Sequence, residues 1–375
     1  MANNARFFES PQAAAIYKHQ LLKFYIPVFI GKTGSQSGGR VVVYDAYSGP
    51  GRYLDDQPGS PALLADTATS MAALRSVRTV FSERDQSYCD ALEQMMTDKG
   101  IDPASYEIRS GPVEEHVDTV LHEAGDLPLF VFLDPYGLSV SFEQLVHILT
   151  ARNRAGMPLG YQPKTEVLLN FSYEALRRIA GVLRSDKDYT AKTAQIAKLD
   201  ATLGGEWWRD VALDQPEDWI AQILAGFARR IRDAWGGGAF ITASVADSLS
   251  AQPVYELILF TGHIDGVWAM MNAMSTARQS WRAWLTADQD QRALEGLTFD
   301  DDEDAWIAEI ANNIRATLGD RGAFTVRQEL ARVLGRTLGL ARETHITKAL
   351  RLLKKEGHIL EVPTGSKLHA FVRPT

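Results

Sequence analysis

The apolar residues of the first 300 positions follow two alternating patterns. Short runs with almost no polar residue, at 41–44, 129–133 and 167–169, are typical of strands buried on both faces of a parallel sheet. Between these runs, apolar residues recur every three or four positions, which predicts helices. The alternation predicts an α/β domain with helices on both faces of a parallel sheet. The predicted strands are 41–45, 79–83, 106–109, 127–134, 166–171, 241–245 and 254–260, and the predicted helices are about 11–30, 85–97, 113–124, 142–152 and 266–284.

A further helix is predicted to begin at Gly59-Ser60-Pro61, with Ser60 as its N-cap and Pro61 at its first helical position. The strand pattern is interrupted at about 173–240, where the residues have mostly helical spacing. We interpret this segment as a helical insertion. The two late strands then complete a seven-stranded sheet, and the first domain is expected to span 1–290.

Residues 303–375 have the pattern of a separate unit. Helical segments at 303–318 and 325–331 lead to a basic helix at 343–356, and 359–372 has the pattern of two strands around a Gly-Ser turn. Three helices followed by a β-hairpin predict a winged helix domain.

Charge is unevenly distributed along the chain. The net charge is −8, but from Arg321 to Thr375 there are eleven Lys and Arg against four Glu, which is +7, so residues 1–320 carry −15. An acidic run at 300–304 is typical of a solvated linker and helix start. Any affinity for nucleic acid is therefore expected in the C-terminal unit rather than over the whole surface.

The single cysteine, Cys89, excludes an internal disulfide framework and a multi-cysteine metal site. Its position in a predicted helix favours a packing role. The first residues lack an apolar signal core, and no apolar run reaches the ~18 residues of a membrane span. These features predict a cytoplasmic protein without a membrane partner.

The first strand ends in an acid followed by a glycine turn, Asp-Ala-Tyr-Ser-Gly-Pro-Gly at 45–51. Glycines there let the backbone approach a ligand where a Cβ would clash. A nicotinamide cofactor is not favoured, because its fingerprint is G-x-G-x-x-G. The spelling D-x-Y-x-G-x-G instead resembles the first motif of S-adenosylmethionine-dependent methyltransferases, especially those that act on nucleic-acid bases. The alternative is an ordinary strand-to-turn junction.

Three acids occupy strand ends: Asp45 after the first strand, Glu83 after the second and Asp134 after the fourth. Ligands bind at the carboxyl ends of parallel strands, so the three are expected to border one cleft. Glu83 is the candidate partner of a ribose, although it follows the glycines by more than the usual ~20 residues. Arg84 lies beside it and is a candidate contact to the same ligand.

The fourth strand runs into Asp134-Pro135-Tyr136-Gly137, which resembles the D-P-P-Y motif of amino-methyltransferases with one proline missing. In that motif the acid accepts hydrogen bonds from the target amine and the aromatic ring stacks on the base. Methyl transfer depends largely on positioning the acceptor, and we assign that role to Asp134 and Tyr136. The missing proline shifts the ring by one residue. His263, at the end of a late strand, is a further candidate to reach the cleft.

The basic helix and hairpin of the C-terminal unit carry candidate nucleic-acid contacts. A winged helix places one helix in the major groove and its hairpin against the backbone. Basic residues there contact phosphates and give affinity rather than sequence specificity. A protein-docking role is the alternative for such a unit. The candidates are Lys348, Arg351, Lys354, Lys355 and Lys367.

The motifs at 45–51, 59–61, 81–85, 132–137 and 260–263, in this order, resemble the three-Cys-motif partner proteins, over about residues 15–285. The resemblance implies a Rossmann-like class I methyltransferase sheet, a bacterial or phage setting, and a cysteine-rich partner protein. It does not imply a particular substrate. On this basis the candidate cofactor-binding residues for S-adenosylmethionine are Asp45, Tyr47, Gly49, Gly51, Glu83 and Arg84.

The leading hypothesis from the sequence is an S-adenosylmethionine-dependent methyltransferase that acts on nucleic acid. A non-catalytic accessory subunit, which binds DNA or the cysteine-rich partner, is the second hypothesis, and the missing proline favours it. Metal-dependent nuclease chemistry ranks last, because the three acids lie on separate strands without a recognisable metal-ligand spacing.

Overall fold

The computed structural model describes residues 13–185, 191–248, 251–287 and 299–375. The chain forms two compact units, Met1–His263 and Ile264–Thr375. The helix at 264–287, which the sequence analysis placed in the first domain, is grouped with the second unit. The acidic run at 300–304 lies at the start of a helix, and the side chains of 300–302 are outside the described residues.

The first unit alternates strands and helices up to its fifth strand. The elements are α1 (Ala13–Gly34), β1 (Arg40–Asp45), α2 (Ser60–Met71), β2 (Ser76–Glu83), α3 (Gln86–Asp98), β3 (Tyr106–Ser110), α4 (Val117–Ala124), β4 (Leu129–Leu133), α5 (Phe142–Thr150), β5 (Thr165–Ser172), α6 (Tyr173–Arg184), α7 (Lys192–Leu203), α8 (Trp208–Asp214), α9 (Trp219–Ala234), β6 (Ala239–Val245) and β7 (Tyr255–Thr261).

These strands form one seven-stranded sheet in the order β3-β2-β1-β4-β5-β7-β6. Strands β1 to β5 are parallel to one another, and β7 is antiparallel to both β5 and β6. The structure therefore confirms the Rossmann-like α/β fold with a mainly parallel, seven-stranded sheet. The reversal at β7 is the one departure from parallel order, and the sequence pattern did not indicate it.

Residues of β4 alternate between two apolar layers, because successive side chains of a strand point to opposite faces. Phe130 contacts the rings of Tyr25 and Phe29 on α1, with ring centroids 5.9 and 5.5 Å apart. Leu129 and Val131 belong to the core cluster on the other face, with residues of α4, α5 and the insertion. Helices thus cover both faces, as predicted.

The segment between β5 and β6 folds into the four helices α6 to α9, which confirms its helical character. Trp208 is fully buried in the core cluster, and its indole Nε1 donates a 2.9 Å hydrogen bond to Asp200. A buried indole needs such a partner, because it carries a polar N–H on a large apolar ring. The insertion is therefore joined to the main core rather than standing apart from it.

The second unit contains α10 (Ile264–Ala287), α11 (Phe299–Arg321), β8 (Phe324–Thr325), α12 (Leu330–Leu334), α13 (Glu343–Lys355) and β9 (Phe371–Val372). The hairpin predicted at 359–372 forms only in part: Ile359 bridges Pro374 in antiparallel order and the N–H of Leu360 donates 3.3 Å to the carbonyl of Arg373, while β9 pairs with β8. Pro363 lacks the N–H that a paired strand would use. The winged helix stays a prediction.

None of the helices in the described ranges combines the length and the apolar character that crossing a membrane requires.

Gly51 offers a test of the packing under the glycine loop. Its φ is +82°, and a Cβ there would lie 2.9 Å from Leu92 and from Met95 of α3. Gly100 also has a positive φ of +64° but nothing within 4 Å of a Cβ. We expect Gly51→Ala to reduce the free energy of unfolding by about 1–3 kcal/mol more than Gly100→Ala, because it adds overpacking to backbone strain.

Urea denaturation of the two variants measures this difference. Equal losses of stability in Gly51→Ala and Gly100→Ala would show that α3 shifts to accommodate the extra methyl group at position 51.

Candidate functional site

The three acids predicted at strand ends lie at the same edge of the sheet. Asp45 is aligned with Phe81 on β2 and with Phe132 on β4. Glu83 and Asp134 each lie two residues beyond those positions, on either side of Asp45. The parallel order of β2, β1 and β4 therefore brings the three acids to one border.

Glu83 fastens the glycine loop to the end of β2. One carboxylate oxygen accepts a 2.8 Å hydrogen bond from the N–H of Gly49, and the other accepts a 2.8 Å bond from the N–H of Asp85. Gly49 has a φ of +64°, a conformation that favours glycine. A carboxylate has about four acceptor sites, so Glu83 retains capacity for a ligand.

Asp45 is completely buried, and its oxygen Oδ2 has no hydrogen-bond partner in the described structure. Burial, together with the negative charge of Asp134, raises the pKa of its carboxyl to about 7, against the opposing effects of the Ser60 hydroxyl and of the N–H of Tyr47. A buried charge without a partner is costly, so this oxygen favours a hydrogen-bond donor or a cation.

Ser60 contributes to this environment, and the prediction that it is the N-cap of α2 is wrong. Gly59 is the N-cap, Ser60 is the first helical residue, and Pro61 follows within the first turn. The Ser60 side chain lies beside Asp45 and acts to lower the pKa of its carboxyl. The N–H of Gly59 donates 2.9 Å to the carbonyl of Gly51, which closes the glycine loop.

The other predicted cofactor residues differ in accessibility. Tyr47 is half-buried against the core cluster, and its buried hydroxyl has no partner among the described residues. Arg84 is exposed. Gly51 is buried and is crowded by α3 rather than open to a cavity. The structure therefore brings Asp45, the loop and Glu83 together, with Tyr47 turned inward.

Asp134 lies in a polar cluster that the sequence did not reveal. Its Oδ2 accepts from the ammonium of Lys18, and its Oδ1 accepts a 2.6 Å bond from the amide of Asn170. Lys18 belongs to α1, and its side chain is only 5% exposed. Burial by itself lowers the pKa of Lys18, yet the adjacent Asp134, with smaller contributions from Tyr53 and Asp45, raises it overall. The ammonium is therefore charged.

The N-terminal half of α1 is held against this border by further contacts. The N–H of Ala14 donates 3.2 Å to Asp247, and the hydroxyl of Tyr255 donates to the Ala14 carbonyl. His19 is also buried, and its ring lies 5.8 Å from that of Tyr53. Burial, followed by the charge of Lys18, lowers the pKa of His19 to about 3, so this ring is neutral. Helix α1 covers the Asp134 side of the border.

A sequence signal for Lys18 does exist. Tyr17, Leu21, Leu22 and Tyr25 are buried on one face of α1, and Lys18 falls on the same face at helical spacing. A single lysine on an apolar stripe indicates a buried charge that needs a partner.

Tyr136 remains 66% exposed at the same border, where its ring is accessible to a ligand. His263 does not reach this border. Because β7 is antiparallel to β5, its end at Thr261 lies at the opposite edge of the sheet, whereas its beginning, Tyr255, is aligned with Ser172 at the carboxyl end of β5. The expectation for His263 is therefore wrong.

Three of the five candidate nucleic-acid contacts are freely exposed on α13: Arg351, Lys354 and Lys355. Lys348 is half exposed and lies 3.2 Å from a carboxylate oxygen of Glu303. Lys367, the candidate contact at the wing, is not exposed. Its side chain is buried, and its ammonium donates to the backbone carbonyls of its own turn, at 3.0 Å for Gly365. These bonds close a tight turn where the hairpin was expected.

Within the described ranges, no group of three or more His, Cys, Asp or Glu side chains is arranged to hold a metal ion. Cys89 is buried, in keeping with a packing role.

No protein-family model matches the sequence, and no curated protein matches it. Among solved structures, the chain is similar to the O-methyltransferase TomG of Streptomyces achromogenes, solved with S-adenosylmethionine, at 13% identity over 68% of this chain and 92% of that one, with a TM-score of 0.35. It is also similar to an S-adenosylhomocysteine-bound methyltransferase of Podospora anserina, at 10% identity over 67% of this chain and 88% of that one, with a TM-score of 0.28.

A third similar structure is an S-adenosylmethionine-dependent methyltransferase of Aquifex aeolicus, at 12% identity over 67% of this chain and 98% of that one, with a TM-score of 0.26. All three TM-scores are below 0.5, so these likenesses carry no argument about activity. The fold class stands on the strand order of the sheet itself.

The buried carboxyl of Asp45 predicts a pH-dependent stability. Its pKa is raised from 3.8 to about 7 in the folded chain, so between these values the folded state holds a proton that the unfolded state has lost. Its contribution to stability is therefore present below pH 4 and is lost as the pH rises through 7. We expect Asp45→Asn to gain stability relative to the parent protein over this interval, by up to a few kcal/mol, and to level off above it.

Thermal or urea unfolding at a series of pH values measures this difference. Asp55→Asn, an exposed acid of the same loop, is the control and should give a flat difference. A flat difference for Asp45→Asn would contradict the buried, protonated carboxyl.

Proposed function

We propose that the first unit binds S-adenosylmethionine and transfers its methyl group to a nucleic acid. The observation that carries this proposal is the unpartnered, fully buried oxygen of Asp45, which lies at the base of a glycine loop that is tied to Glu83. A cation or amine that enters there would satisfy a carboxylate that the chain itself leaves unsatisfied.

The residues at this border fit the cofactor by their chemistry. Asp45 suits the ammonium of the methionine part, because its free oxygen favours a positive donor. Glu83 suits the two ribose hydroxyls, since it is half-buried and retains acceptor capacity. Arg84 is exposed beside it and is available to the outer part of the ligand. When bound, the cofactor supplies a methyl group on a positively charged sulfur.

The residues on the Asp134 side of the border suit the methyl acceptor. Asp134 is fixed by Lys18 and Asn170, so it offers an already oriented group, and preorganised groups contribute strongly to transfer reactions. The exposed ring of Tyr136 offers a flat surface on which a base can stack. Helix α1 covers this side and shields it from water.

The nucleic-acid part of the proposal is supported by the charge of the C-terminal residues. The +7 charge after position 320 and the exposed side chains of Arg351, Lys354 and Lys355 on one helix are the features of a phosphate-binding surface. The resemblance to the three-Cys-motif partner proteins supports a cysteine-rich protein as a second partner.

A non-catalytic accessory role is the second candidate. The ion pair between Lys18 and Asp134 favours it, because it occupies the carboxylate that an amine acceptor would need. In that case the C-terminal unit would bind nucleic acid or the partner protein without methyl transfer.

Cofactor binding is tested by isothermal titration with S-adenosylmethionine and S-adenosylhomocysteine. We expect both to bind the parent protein, and we expect Glu83→Gln to weaken binding by roughly tenfold to a hundredfold, because a charged hydrogen-bond acceptor is lost. Glu93→Gln, on the exposed face of α3, should bind like the parent.

Absence of binding to the folded parent protein would sink the methyltransferase assignment and leave the accessory role. If the parent and Glu83→Gln bind the cofactor with equal affinity, Glu83 is not a cofactor contact, and the rest of the cofactor assignment is unaffected.

Nucleic-acid binding is tested by its salt dependence. If Lys354 and Lys355 each contact a phosphate, replacing either by Ala should reduce the slope of log K against log salt by about 0.7–0.9. Lys23→Ala, an exposed lysine of the first unit, is the control. Slopes that stay unchanged in both Lys354→Ala and Lys355→Ala would exclude these two lysines from the phosphate contacts.

A further inference from the structure

The carboxylate of Asp134 already has a donor on each oxygen. Asn170 donates through its amide nitrogen at 2.6 Å, and Lys18 donates through its ammonium. The side chains of Lys18 and Asp134 are 5% and 17% exposed, so water competes little for this pair. A methyl acceptor that binds beside Asp134 therefore contacts an ion pair rather than an unpaired carboxylate.

Two groups next to Asp134 can still form hydrogen bonds with a ligand. The amide oxygen of Asn170 is buried and has no hydrogen-bond partner in the described ranges. A lysine ammonium has three N–H donors, and in the described structure one N–H of Lys18 donates to Asp134. Buried polar groups destabilise a protein unless they are paired. A ligand that supplies one donor and one acceptor would satisfy both residues.

The number of unpaired hydrogen-bond acceptors in this network discriminates between two classes of nucleobase. An exocyclic amine, as in adenine or cytosine, has two N–H donors to be held while its lone pair is aligned, and within the network of Lys18, Asp134 and Asn170 the unpartnered acceptor is the Asn170 oxygen. A lactam edge, which is a ring N–H beside a carbonyl as in guanine or uracil, has one donor and one acceptor. The ring N–H matches Asn170, and the carbonyl oxygen matches Lys18.

We propose that Lys18 and Asn170, oriented by Asp134, recognise the lactam edge of a nucleobase, with Lys18 as the specificity-determining residue. This inference rests on the proposed function, since it names the class of acceptor for that site.

Electrostatics favour the same choice. A carbonyl oxygen gains negative charge when the neighbouring ring nitrogen loses its proton, and a fixed ammonium in a poorly hydrated site stabilises that charge. The ring nitrogen of an amine-bearing base offers Lys18 a neutral acceptor instead. The ring of Tyr255, with its centroid 5.9 Å from the Lys18 nitrogen, provides a flat surface beside the pair.

The test uses two pairs of bases that differ at this edge alone: inosine against adenosine, and uridine against cytidine. Each base is placed in a short single-stranded oligonucleotide between abasic sites, and binding to the full chain is measured by fluorescence anisotropy. We expect inosine and uridine to bind roughly tenfold to a hundredfold more tightly than their amine counterparts.

Variants at one position identify the residue responsible. Lys18→Gln can still donate to Asp134 but lacks the charge, and it should lose the preference, whereas Lys18→Arg should retain it. Lys23→Gln, an exposed residue of the same helix, is the matched control and should behave like the parent protein. Melting temperatures confirm that each variant is folded.

Equal affinities within both base pairs, or tighter binding of the amine bases, would overturn the inference, and so would a preference that survives in Lys18→Gln. All titrations are made with and without S-adenosylhomocysteine. Failure to bind that compound contradicts the proposed function, whereas the base preference is measured independently and decides this inference.

Discussion

The desolvation of charge at one edge of the sheet is the constraint on which the rest of the first unit depends. Strands β1 and β4 are almost wholly apolar, so their polar groups are confined to the ends, and Asp45 and Asp134 are left close together with little water. Two buried carboxylates that both carry charge repel each other strongly. The chain responds by placing Lys18 against one and by leaving a proton on the other up to about neutral pH.

This arrangement gives the two sides of the border different chemical characters. On the Glu83 side, backbone N–H groups hold the acid and tie down the glycine loop, so the site is built from main-chain geometry. On the Asp134 side, side chains from α1 and β5 hold the acid, so the site is built from a polar network. A site built from main-chain groups suits a cofactor that many proteins share. A site built from a side-chain network suits a pocket that discriminates between methyl acceptors.

Much of the fold could be predicted from the sequence, because buried parallel strands produce continuous apolar runs whose ends are visible. All seven strands and the three strand-end acids follow from that pattern. The direction of β7 could not be predicted, since an apolar run has the same appearance in either direction, and His263 was consequently placed at the wrong edge. The hairpin near the C-terminus pairs locally only at its base, Ile359 with Pro374, and the β8–β9 pair, Phe324 with Val372, could not be predicted because it joins residues far apart in the sequence.

The contacts that close the Asp134 side join the two ends of the first unit's sequence. Asp247 and Tyr255 bind Ala14, across sequence separations of 233 and 241 residues, whereas Glu83 binds Gly49 across 34. Contacts distant in sequence form slowly and need both segments to be present. During synthesis on the ribosome, the glycine-loop side can therefore assemble early, and the side beneath α1 is completed only after the last strand of the sheet has emerged.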